Sequence, residues 1–261
     1  MLQSCHHRLS LGSLLSAAAL GLGHLPSSLA QGGPPMLTDD PGTPGAGAWE
    51  INIAYAQQRT REEKLHSVPF ADFNYGLGET IQLKYEVAWL ISELPESGGT
   101  RSGLDNSLFG VKWRFLDEER NGLDMSVYPQ LELENPTGSV SRGIVEPGPN
   151  LFLPVEAAHD FGKFKLVGEV GYQIFHSTDN EWVVGVLGAT HISESLEVMA
   201  EVRSFSQKLL NDGDVVANVG MRQELNQKVK LVASIGTGLT NHPDSTTFLT
   251  YVGVQIVLGE K

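Results

Sequence analysis

From Trp49 onward the chain alternates apolar and polar residues in units of roughly 10 to 14 residues, separated by breaks rich in Gly, Asn, Asp and Ser. A period of two marks a strand with one apolar face, and the longer 3.6-residue period of an amphipathic helix is missing over any long stretch. Twelve such units are predicted, at 48–57, 65–75, 80–91, 104–115, 123–134, 150–159, 164–175, 182–191, 196–205, 215–225, 228–237 and 247–258. In the third, Ile81, Leu83, Tyr85, Val87, Trp89 and Ile91 share one face and Gln82, Lys84, Glu86 and Ala88 the other. The ninth sets Leu196, Val198, Ala200 and Val202 against Glu197, Met199, Glu201 and Arg203.

Units of this length exceed the five or six residues typical of soluble sandwich strands and match the 9 to 11 that cross a bilayer at a tilt. Alternation alone leaves two barrels open: a soluble one with its apolar face inward, and a membrane one with that face toward lipid and the polar face lining the lumen. Aromatic placement favours the membrane. Trp49 and Trp182 begin units one and eight, while Trp89 and Trp113 fall near the ends of units three and four, as two interfacial girdles would require. With both termini on the periplasmic side, Trp49 and Trp113 belong to the inner girdle and Trp89 and Trp182 to the outer. External loops are then expected at 58–64, 92–103, 135–149, 176–181, 206–214 and 238–246, with shorter turns at the opposite end.

The first thirty residues read differently. Arg8, the apolar run Leu11 to Gly23 and the small-x-small pattern Ser28-Leu29-Ala30 form a secretory signal peptide, the run being too short for a spanning helix. Its removal takes away Cys5, the only cysteine, and with it disulfide or thiolate chemistry. The predicted organisation is a signal peptide over 1–30, a Gly/Pro-rich lead-in over 31–47 and a single all-β, antiparallel up-and-down transmembrane barrel of about 12 strands over 48–261. The lead-in is expected to be flexible; in the alternative it enters the lumen as a plug, with Asp39 and Asp40 meeting Arg114, Arg203 or Arg222.

Charge narrows the partners. With 18 Lys+Arg against 31 Asp+Glu and no basic run, nucleic acid is excluded. Membrane lipid, small-molecule solutes and the barrel-assembly machinery are the expected partners, and no cofactor is implied.

The segment Pro34-Pro35-Met36-Leu37-Thr38-Asp39-Asp40-Pro41 leading to Trp49-Glu50-Ile51, followed by Asp72-Phe73-Asn74-Tyr75-Gly76-Leu77, resembles the transporter-like outer-membrane proteins grouped under the meta-pathway of phenol degradation. The resemblance covers the first ninety or so residues and implies a small Gram-negative outer-membrane barrel that passes small, often aromatic, compounds. The ending Leu258-Gly259-Glu260-Lys261 departs from the terminal aromatic usual in such barrels, from which less efficient recognition of the last strand is expected.

Selectivity of a conduit would reside on the polar face. By alternation this face includes Glu50, Lys84, Glu86, Lys112, Arg114, Glu132, Glu169, Glu201, Arg203, Arg222 and Glu224, together with Glu134, Glu156, Lys165, Glu197 and Lys230. Interleaved signs predict ion pairs, among them Glu86 with Lys84, Glu169 with Lys165 and Glu201 with Arg203. His191-Ile192-Ser193 has the spacing of an outer-membrane lipid hydrolase, but falls at the periplasmic end of unit eight, away from outer-leaflet substrate. His66, His159 and His242 lack metal-ligand spacing. The expected function is therefore non-enzymatic: passive passage of small organic molecules, with a non-conducting structural or adhesive barrel as the alternative and a lipid hydrolase third.

Overall fold

A computed structural model describes residues 33–95, 98–211, 213–242 and 245–259, so the expected signal peptide and Cys5 lie outside the described residues. Twelve antiparallel strands form one closed sheet. They are β1 (Trp49–Arg59), β2 (Lys64–Leu77), β3 (Ile81–Leu94), β4 (Gly99–Leu104 continued by Ser107–Leu116), β5 (Asp124–Val127 continued by Gln130–Leu133), β6 (Asn150–Asp160), β7 (Phe164–Ile174), β8 (Glu181–Ser193), β9 (Leu196–Ser206), β10 (Asp214–Glu224), β11 (Val229–Gly238) and β12 (Phe248–Leu258). Each strand pairs with the next, and β1 closes on β12 from Trp49↔Leu258 to Arg59↔Phe248. Closure removes the sheet edge, which in hydrocarbon would leave backbone groups without partners.

The breaks within β4 and β5 have local causes. At β5, Pro129 has no N–H to give the ladder, yet its carbonyl accepts from the Val111 N–H at 3.1 Å and the Tyr128 N–H donates to the Pro154 carbonyl at 3.1 Å. At β4, the Asp105 N–H still reaches the Ala88 carbonyl at 2.9 Å, and the Asp105 carboxylate turns back to accept from the Asn106 N–H at 2.8 Å. Pairing of β2 with β3 slips between Ser67 and Phe70, where Pro69 interrupts the donors.

The direction of the pleat settles which barrel this is. Asn52, Asp72, Lys84, Lys112, Glu156, Glu169, Glu201, Arg203 and Gln255 are buried inside, whereas Ile53, Leu83, Phe109, Val111, Val155, Val170, Val186, Val202, Val219 and Val252 stand exposed outside. Leaving one such side chain in water forgoes roughly 1.5–3 kcal/mol of burial. A full belt of them would cancel the ~5–15 kcal/mol by which a domain is stable in water, and costs nothing against lipid. The protein is thus a transmembrane barrel.

Two connections differ from expectation. The predicted loop 92–103 is mostly hairpin, since Ile91↔Ser102 to Leu94↔Gly99 continue the ladder past Trp89. Residues 99–103 of this hairpin, Gly99-Thr100-Arg101-Ser102-Gly103, carry no apolar side chain, so no alternation marks it as strand. The segment 135–149, expected as an external loop, folds into the barrel mouth. Ile144 and Val145 are buried in an apolar cluster with Ala56, Phe70, Ala88, Leu90, Val232 and Tyr251. Arg142 Nη1 donates to the Ser102 carbonyl at 3.0 Å and Arg101 Nη1 to the Gly143 carbonyl at 3.1 Å, tying the segment to β4.

Candidate functional site: a plugged lumen

Residues 33–47 run inside the barrel from the end at which the chain enters β1, so the flexible lead-in is corrected to a plug. The correction has a physical basis: a Gly/Pro-rich segment satisfies only part of its own backbone, as where the Met36 N–H donates to the Gly33 carbonyl at 3.0 Å, and the barrel wall supplies further partners. The Leu37 and Thr38 N–H groups donate to the Glu201 carboxylate at 2.8 and 2.7 Å, and the Asp39 N–H reaches Glu169 at 3.4 Å. Arg222 Nη2 donates to the Pro34 carbonyl at 3.0 Å and Ser234 Oγ to the Pro35 carbonyl at 2.7 Å. Hydrogen bonds to charged groups are worth about 1.5–3 kcal/mol each, so Glu201 alone anchors the plug substantially.

Ion pairs fix the middle of the plug. Lys112 Nζ lies 2.9 Å from Asp39, donates to the Asp40 carbonyl, and sits 3.5 Å from Glu156 and 4.5 Å from the Tyr128 ring centroid. Lys165 is 3.4 Å from Asp40. The expected partners of the two aspartates, Arg114, Arg203 and Arg222, are engaged elsewhere.

Cross-strand register explains the exchange. Lys165 and Glu169 stand four residues, about 13 Å, apart on one strand, whereas two residues opposed to the same residue of an intervening strand stand about 10 Å apart, a gap that long side chains span when the intervening residue has none. Arg203 and Glu169 both pair with Gly185 of β8, and with no side chain between them Arg203 Nη2 meets Glu169 at 2.7 Å. The predicted pairs Glu169–Lys165 and Glu201–Arg203 are therefore corrected: Lys165 goes to Asp40, and Glu201 to the plug and to Asn218 Nδ2 at 2.7 Å. The Glu86–Lys84 pair is present at 2.8 Å, with Asp72 at 3.4 Å from the same lysine. Glycines also seat the plug. A Cβ on Gly185 would stand 2.4 Å from Thr38 Oγ1, and one on Gly220 would stand 2.6 Å from Met36 Sδ.

The other residues expected on the polar face are distributed as follows. Glu132 is buried and accepts from Asn106 Nδ2 at 2.7 Å and Asn150 Nδ2 at 3.2 Å. Glu50, half-buried, lines the space beside the plug. Arg114 lies at the entry rim, 3.1 Å from the Glu79 carbonyl, and Arg222 pairs with Glu197 at 2.6 Å. Glu224 is exposed at the same rim, 3.3 Å from Lys230. Trp49, Trp89 and Trp113 are exposed; Trp182 is half-buried against Tyr172, with ring centroids 4.9 Å apart. Trp49 contacts Tyr75 at the same centroid separation, near the entry end. His191 and Ser193 flank an irregularity in the β8–β9 pairing, and among the described residues no hydrogen bond joins them.

Open volume remains on the entry side. A polar space of about 360 Å³ flanks the plug, bordered by Asp40, Glu50, Lys165, His191, Arg222 and Lys230. Toward the far end the interior turns apolar around Phe70, Leu90, Ile144 and Tyr251. The lumen is therefore charged on the entry side, carries both this apolar cluster and the buried polar group Asp105, Asn106, Glu132 and Asn150 at its other end, and is obstructed in between by chain that is held without any covalent cross-link among the described residues.

An inverted, closed barrel with an internal plug defines the class as an outer-membrane β-barrel. Among solved structures the chain is similar to an outer membrane channel from Pseudomonas putida F1, at 14% identity and a TM-score of 0.60, over 84% of this chain and 98% of that one. It is also similar to the KdgM porin, at 11% identity and a TM-score of 0.53, over 78% of this chain and 98% of the other. These likenesses carry the fold. No family model matches the sequence, and no curated protein matches it.

Proposed function

We propose that the protein is a passive channel for small organic molecules in the outer membrane of a Gram-negative bacterium, closed at rest by its own residues 33–47. The observation that carries this reading is the plug itself: an obstruction held by reversible polar contacts to Glu201, Lys112, Lys165 and Arg222. A barrel serving only as a wall or anchor gains nothing from a separable obstruction. The entry end, with its short turns, faces the periplasm, and folding proceeds through the barrel-assembly machinery. Solutes with an apolar body, including aromatic ones, suit the apolar cluster around Phe70, Leu90 and Tyr251, while charges along the lumen set ion preference. Barrel neighbours that are a channel and a porin favour this reading over an enzyme.

Liposome swelling tests it. Vesicles carrying the wild-type protein are expected to swell slowly in small uncharged organic solutes, and those carrying Glu201→Ala several-fold faster. Equal and negligible swelling for both would favour the non-conducting structural barrel.

A further inference from the structure

Where the plug meets the barrel wall, two polar atoms that border one cavity are buried without a hydrogen-bond partner among the described residues, the Tyr251 hydroxyl and Asn218 Oδ1. Tyr251, on β12, is 7% exposed and lies edge-on to Phe70 with ring centroids 5.9 Å apart; its hydroxyl is buried and has no hydrogen-bond partner among the described residues. An unpaired buried hydroxyl costs about 1–3 kcal/mol, and folded proteins leave few of them unless something else uses the group. Tyr251 lines a small cavity together with plug residues Pro34 to Leu37, apolar Ala56, Phe70 and Leu249, and polar Asn218, Ser234 and Thr250. Water-sized space there is only about 20 Å³, enough for roughly one water.

We propose that this is a ligand site: it takes a compact molecule with an apolar, ring-sized body and a hydrogen-bond acceptor, and the plug's Pro35-Met36-Leu37 occupies it in the resting state. Three features support that chemistry. Phe70, Leu249 and the ring of Tyr251 offer an apolar surface beside the polar Asn218, Ser234 and Thr250, and the Tyr251 hydroxyl offers a donor. Among the described residues no plug carbonyl accepts from that donor, those of Pro34 and Pro35 accepting from Arg222 and Ser234 instead. Two residues further along the chain, Leu37 and Thr38 hang from Glu201, so a ligand that takes the place of Met36 and Leu37 works directly against the plug's anchor. Ligand and plug then compete for one volume, and binding itself favours the open lumen. The inference rests on the channel reading above and adds to it the site, the acceptor group and the trigger.

The test uses the full chain in detergent with acetophenone and ethylbenzene, two probes of similar shape of which only the first carries an acceptor. Acetophenone is expected to bind about tenfold more tightly than ethylbenzene, and Tyr251→Phe to abolish that difference while leaving ethylbenzene binding unchanged. Maleimide labelling of a Thr38→Cys variant reports the plug, and saturating acetophenone is expected to speed labelling several-fold. No acetophenone binding, or a preference unaffected by Tyr251→Phe, overturns the site. Tyr251-dependent binding with unchanged labelling overturns the competition with the plug. A failed channel reading looks different: ligand binding and labelling behave as expected, yet neither wild type nor Glu201→Ala swells vesicles.

Discussion

At Gly185 a single missing side chain serves two contacts: Arg203 reaches Glu169 across β8, and Thr38 of the plug rests on the bare backbone. Gly185→Ala is expected to push the plug away and raise maleimide labelling at Thr38→Cys. Gly168→Ala, whose Cβ would meet nothing within 4 Å, is expected to leave it unchanged. Glu201→Ala removes two charge-assisted bonds to the plug backbone, together about 3–6 kcal/mol, and is expected to expose the plug at least a hundredfold more often, read by the same labelling. None of these couplings was legible in the sequence. The alternation identifies Glu169, Glu201 and Arg203 as sharing the inner face, but which of them touch depends on register between strands, and register is set by the whole closed sheet. Lys112 and Lys165 were on the polar face by alternation, and nothing local marked them as the partners of Asp39 and Asp40.

At the scale of elements the sequence carries nearly everything about the strands and little about what lies between them. A strand that faces lipid on one side and a polar lumen on the other must alternate along its length, so all twelve units reappear as strands with ends shifted by a few residues. Plug and linker share a composition because both avoid regular structure, and only the distant acceptors on Glu169 and Glu201 distinguish them. The inward fold of 135–149 did leave a trace: Ile144-Val145 is an apolar pair in an otherwise polar stretch, and it is buried. The outward face yields a simple expectation. Val186→Arg, mid-way along β8 on the lipid side, should cost about 2–4 kcal/mol of barrel stability. Leu210→Arg, in the connection between β9 and β10, should cost little. Urea titration in lipid vesicles measures both, and equal costs would contradict a lipid-facing β8.

For the whole molecule the organising fact is a barrel turned inside out and then obstructed from within. Its wall was readable from periodicity. Its closed state was not, since closure depends on chain that crosses the lumen to meet residues well over a hundred positions away. Charge in the entry half gives a further expectation: once the plug is displaced by Glu201→Ala, adding Arg222→Gln should move the reversal potential under a salt gradient toward greater cation preference, because one basic group at the mouth is lost. The central claim, that residues 33–47 are a removable barrier in the lumen, is met most directly by single-channel recording in planar bilayers. The full chain and a variant lacking residues 33–42 are compared under one voltage and salt. The wild type should show rare, brief openings and the variant a persistent conducting level; a variant as silent as the wild type would contradict the claim.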